Sequence, residues 1–158
     1  MQTHKSFAKV AHFFEDPNLF HLNRHSVSRA VAIGLFVAMT PVYGHLFIAI
    51  FMAIWLRANI AISAILIWIT NPLTLPAVLL FQYWIGAGVL GIEETLTLAD
   101  FQLANWKAVL NELWQPLLIG AFVTMIAGAM IGYYSIQWLW KLEVASRWRK
   151  RKKRQFKS

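Results

Sequence analysis

The chain has 158 residues, 58% of them hydrophobic, no cysteine, and a formal net charge of +8. The apolar share exceeds the roughly 45–50% of ordinary soluble domains, and residues 30–92 carry a single formal charge, Arg57. A soluble fold needs polar faces at helical or strand spacing, which this stretch lacks, so it belongs in lipid; disulfides, thiolate nucleophiles and zinc–thiolate sites are excluded.

Residues 1–25 mix Lys5, Lys9, Glu15, Asp16 and Arg24 with scattered aromatics. No compact apolar core precedes a small-residue cleavage site, so this N-terminal segment is expected to remain attached and lie at the interface. Within it, "FAKVAHFFEDPNLFHLN" (7–23) offers Phe rings to the acyl boundary. The membrane domain, 26–140, opens with "VSRAVAIGLFVAMT", capped by Ser26 or Ser28, with Arg29 snorkelling to the headgroups. That run stops at Pro41. At 1.5 Å per residue its length is ~21 Å, short of a ~30 Å hydrocarbon core.

The interruption "MTPVYGHL" (39–46) is followed by "LFIAIFMAIWL" (46–56), the polar joint "RAN" (57–59) and "IAISAILIWIT" (60–70). After "NPLTLP" comes "AVLLFQYWIGAGVLGI" (77–92). Residues 26–92 thus read as short apolar helices separated by two proline-containing breaks and one polar joint. Across 93–115 the pattern changes. Leu96, Ala99, Leu103, Trp106, Leu110 and Leu113 recur at three- and four-residue steps, with Asp100, Lys107, Asn111 and Glu112 elsewhere. This predicts an amphipathic interfacial helix capped by Asp100.

Residues 116–140 carry no charge and end in Tyr and Trp of the interfacial kind, as a spanning helix does. The tail, 141–158, holds nine Lys or Arg against Glu143 alone, so it accounts for the whole net charge of +8. The positive-inside tendency puts it in the cytoplasm. The expected fold is all-α: a multi-pass integral membrane protein with short, Pro-broken helices, either re-entrant or fully crossing, and one long C-terminal transmembrane helix.

A proline removes one donor and frees a carbonyl one turn earlier. Such a gap survives at membrane depth only when buried in protein or lining a wet cavity. Half-helix N-termini meeting there would favour an anion. Candidate ligand-binding residues are therefore Arg57, Asn59, Thr70, Asn71, Thr74 and His45, with Pro41, Gly44, Pro72 and Pro76 shaping the gap. A plainer reading stands beside this one. The prolines are kinks, Arg57 sits in the headgroups, His45 is a hydrogen-bonded interior residue, and the Asn and Thr side chains satisfy the freed backbone. "RAVAIGLFVAMTP" (29–41) and "RANIAISAILIWITNP" (57–72) also resemble each other, which would suit two interrupted segments marking a midplane site.

"DPNLFHLNRHSVSRAVAIGLF", "TPVYGH", "LRANIAISAILIWITNPLTLP" and the terminal aromatic-to-basic helix together resemble the bacterial domain of unknown function 2062 family. The resemblance covers roughly 14–154, and Arg57 to Thr74 is its most specific part. It implies a small protein of the bacterial inner membrane with no established activity. Members carry a Pro-x-Pro-Gly-Gln-like first break where this chain has Tyr43 and His45. That element is also similar to the re-entrant hairpins of DedA-type lipid-carrier translocases.

No metal-ligand spacing links His4, His12, His21, His25 and His45, and no nucleophile elbow or phosphate-binding glycine loop occurs. Glu93 and Glu94 are adjacent, so their side chains diverge and make a poor acid/base pair. The expectation is a protein without catalytic activity, cofactor or metal. Clustered cations can bind nucleic acid. Beside a spanning helix, however, Arg147, Arg149, Lys150, Arg151, Lys152, Lys153 and Arg154 read as anionic-lipid contacts at about 1 kcal/mol per cation. The expected function is binding or translocation of an anionic amphiphile, a phospholipid or polyprenyl-phosphate headgroup. The alternative is a non-transporting accessory or scaffold for other membrane proteins. Size motivates this second reading, since so small a chain can hardly enclose a pathway unless it forms a homo-oligomer.

Overall fold

The computed structural model describes residues 19, 22–40, 44–93 and 106–155, with side chains described for all but 106–112 and 149–155. Among these residues all regular secondary structure is helical. It comprises α1 (Arg24–Ala38), α2 (His45–Trp55), α3 (Ile60–Ile67), α4 (Leu75–Leu90) and α5 (Trp106–Gln155).

Helix α1 starts earlier than expected. Its cap is Asn23, whose Oδ1 accepts from Ser26 N at 2.8 Å, and asparagine is among the strongest caps. Ser26 and Ser28 lie inside the helix and are buried. The Ser28 hydroxyl donates back to Arg24 O at 2.6 Å, the usual resolution for a serine within a helix. The helices expected at 93–115 and 116–140 meet, over their described part, at a kink within α5 rather than at a loop. Leu113 is non-helical (φ −115, ψ 19), with Pro116 just beyond it. Proline lacks an N–H and crowds the carbonyl four residues back, so here the helix bends rather than ends. It also continues through the basic tail to Gln155. Asp100, the expected cap, lies outside the described residues.

The register along α5 fixes the architecture. Arg24 Nε donates to Gln137 Oε1; Val31 and Leu35 abut Gly132, and Leu35 faces Gly128. Further along α5, Gln82 meets Gly120 and Gly86 meets Pro116. Both α1 and α4 therefore run antiparallel to α5, one after the other along its length. At their junction, Gln82 Nε2 donates to Met39 O at 2.8 Å and to Thr124 Oγ1 at 3.5 Å.

Helices α2 and α3 double back on α1. At the far end of α2, Arg29 Nη1 donates to Leu56 O at 3.0 Å. Helix α3 then returns parallel to α1. Asn59 N donates to Ser26 O at 3.4 Å, Ser63 Oγ to Ala30 O at 3.2 Å, and Thr70 Oγ1 to Ala38 O at 2.6 Å. The register pairs Ser26 with Asn59 and Ala30 with Ser63.

Two small cores result. Ala30, Ile33, Val37, Ala49, Ala53, Ala58 and Ile67 pack at the α1–α2–α3 end. Leu80, Tyr83, Ala87 and Leu117 pack between α4 and α5. Alanines let backbones approach closely, the packing mode of helices that gain nothing from water exclusion. Phe47, Trp55, Trp68 and Phe122 point outward, with Trp68 76% exposed. Leu113–Trp148 is long and apolar enough to cross a membrane, and only 28% of its most apolar window is buried within the molecule. Exposed apolar surface of this extent marks a face that contacts a membrane or another protein.

Candidate functional site

The end of a helix leaves its last carbonyls without intrahelical donors. At the C-terminus of α1 the remedy comes from all sides. Leu35 O accepts from Met39 N at 3.2 Å, and Val37 O from Thr40 N at 3.1 Å. Phe36 O accepts from Thr40 Oγ1 at 3.1 Å. The next three carbonyls are met from three different elements. Ala38 O accepts from Thr70 Oγ1, Met39 O from Gln82 Nε2, and Thr40 O from His45 Nε2 at 2.7 Å. Because a carbonyl only accepts, His45 carries its proton on Nε2 in this contact.

The second break is closed by its own side chains. Asn71 Oδ1 accepts from Leu73 N at 2.9 Å and Thr74 N at 3.0 Å, while Asn71 Nδ2 donates to Trp68 O at 3.3 Å. Thr74 Oγ1 accepts from Asn71 N at 2.9 Å and donates to Ile69 O at 2.7 Å. Pro72 stands in this turn, and Pro76 lies in the first turn of α4. Gly44 caps α2 in the left-handed region (φ 91) and provides no side-chain cap. Pro41 lies outside the described residues.

The six candidate ligand-binding residues thus divide into two groups. His45, Thr70, Asn71 and Thr74 gather where α1 and α3 end. Arg57 and Asn59 lie at the opposite end of α2 and α3, about 16 Å away by the length of α2. Asn59 is 3% exposed and caps α3, its Oδ1 accepting from Ile62 N at 3.0 Å. Arg57 is exposed at the α2–α3 corner with φ 52. There Arg57 N donates to Ile54 O and Ala58 N to Ala53 O, a Schellman closure whose left-handed position is normally glycine. Arg29 reaches the same corner through Leu56 O, and Arg24 lies at the same end against Gln137. In the tail, Arg147 pairs with Glu143 on the surface, and the side chains of Arg149, Lys150, Arg151, Lys152, Lys153 and Arg154 lie outside those described.

The buried polar residues Ser63, Gln82, Thr124 and Gln137 escaped the sequence reading. Ser63 and Gln82 are isolated polar residues within apolar runs, where a polar side chain must find a partner. That signal could have singled them out.

The profile of a protein family described as uncharacterized and conserved in bacteria matches residues 8–149. No curated protein and no solved structure matches the chain, so the likeness to DedA-type translocases gains no support. On a match covering most of its length, the chain belongs to the bacterial domain of unknown function 2062 family.

Proposed function

We propose that the protein is a multi-pass protein of the bacterial inner membrane that binds the headgroup of an anionic amphiphile at its α2–α3 corner. In this reading α1 and α2 form a hairpin entering from the basic, cytoplasmic side, with its turn near the midplane. Helices α3 and α4 together make one interrupted crossing, and α5 crosses back. The dimensions fit. From Gln137 to Thr124 is ~20 Å, and from Thr124 to Leu113 a further ~16 Å, against a hydrocarbon core of ~30 Å. Both breaks then lie at mid-depth, where freed backbone must be satisfied within the protein.

The backbone of Arg57 carries the functional part. A left-handed conformation costs a non-glycine residue roughly 1–2 kcal/mol, and such strain persists where a side chain is needed. Arg57 (φ 52) is exposed at a corner that Arg29 also reaches. A guanidinium is suited to phosphoryl oxygens because its donors form a planar fork. The test is phosphatidylglycerol or polyprenyl-phosphate binding in phosphatidylcholine nanodiscs. Arg57→Gly is expected to raise the unfolding temperature while weakening binding about tenfold, with Arg57→Lys retaining part of it. Unchanged headgroup affinity in Arg57→Gly and Arg57→Gln would refute the reading.

The accessory or scaffold reading draws on the break itself. Each of the six carbonyls from Leu35 to Thr40 has a donor within the chain, so this break needs no ligand to exist. A scaffold keeps its protein partners on co-purification of Arg57→Gln and Asn71→Ala variants, and its lipid binding is unaffected by either.

A further inference from the structure

We propose that Arg24 and Gln137 form a second oxyanion site, for one phosphoryl group, between the start of α1 and the basic end of α5. The inference rests on the reading above that this end of the bundle lies at headgroup level. Gln137 is 9% exposed in an otherwise charge-free run. Its amide orientation is fixed by chemistry: Arg24 Nε can only donate, so the atom that it meets must be Oε1. The other half of the amide, Nε2, is buried and has no hydrogen-bond partner among the described residues. Buried polar atoms of this kind are rare enough to call for a reason.

The surroundings supply donors and positive charge. Arg24 is the first residue of α1, at the positive end of that helix dipole. Lys141 is exposed one turn beyond Gln137 on the same face of α5. Glu143, the nearby carboxylate in sequence, is held by Arg147. A spot that, among the described residues, is rich in donors and short of acceptors suits a ligand that only accepts, which describes a phosphate oxygen. The half-buried Arg24 side chain lies on the same amide and acts as the movable cover. As its guanidinium turns to the phosphoryl group, an oxygen reaches Nε2. A phospholipid headgroup and inorganic phosphate share this chemistry.

Native mass spectrometry of the full chain, taken from phosphatidylcholine nanodiscs doped with phosphatidic acid, counts the bound anionic lipids. Of the lipids that wild type holds, one is expected at the Arg57 corner and one here. Gln137→Met removes the donor while keeping the length. It is expected to lose one lipid, or to bind it about tenfold more weakly, without a fall in unfolding temperature. Arg24→Gln leaves the amide in place and is expected to weaken the same site. Loss in Arg57→Gly with none in Gln137→Met and Arg24→Gln would sink this site and leave the corner standing. Loss confined to Gln137→Met and Arg24→Gln would keep this site and sink the corner. Competition by millimolar inorganic phosphate assigns the site to a free anion, and its failure assigns the site to lipid.

Discussion

At the scale of single residues, the polar side chains around the breaks act first on the backbone. Asn59 was legible as functional polarity beside a joint; its partner, Ile62 N, makes it a helix cap. Asn59→Ala is expected to destabilise the protein by about 1 kcal/mol, whereas Asn59→Asp retains most of the cap, as denaturant unfolding in detergent would measure. Asn71 serves two N–H groups, so Asn71→Ala should cost at least as much. Gln82→Leu would leave Met39 O without the donor that it now has; a buried carbonyl so orphaned costs about 1–3 kcal/mol. Arg57 behaves oppositely, because glycine suits its backbone better. Residue type alone left both readings open, satisfaction of the freed backbone and contact with a ligand. An Asn near a break looks the same in sequence whether it caps a helix or contacts a ligand.

At the scale of elements, the boundaries of α2 and α3 were close to legible because a polar joint and an asparagine cap mark them. So was the joint between the last two expected helices, which falls at the kink of Leu113 beside Pro116. A proline in a helical pattern can end the helix or bend it, and packing decides which. Here α4 presses against α5 at Pro116. A Cβ on Gly86 would lie 1.8 Å from Pro116 O, and one on Gly120 1.6 Å from Gln82 O. Backbone carbonyls cannot step aside, so Gly86→Ala and Gly120→Ala should each cost about 1–3 kcal/mol or more and loosen α4 from α5. Gly88→Ala is the control, since its Cβ would meet nothing within 4 Å. Limited proteolysis and thermal unfolding would separate the three.

At the scale of the whole molecule, an all-helical membrane-type chain was evident from composition and charge. The path was not, because apolar periodicity does not say where a short helix turns back. The side-chain-to-carbonyl contacts supply the missing order: α1 and α4 tile α5 end to end, while α2 and α3 fold back beside α1. Both breaks consequently meet at one level near Thr124. If that level is the membrane midplane, the N-terminal end of α1, the Arg57 corner and the basic tail share one side, and Glu93 lies on the other.

Labelling single cysteines with a membrane-impermeant thiol reagent, in oriented vesicles of both polarities, tests this path most directly, since the chain has no native cysteine. Cysteines replacing Arg57 and Ser146 should label only from the cytoplasmic face, one replacing Glu93 only from the opposite face, and one replacing Leu73 from neither until detergent is added. Labelling of position 73 from the outer face, or of positions 57 and 93 from the same face, would contradict the account.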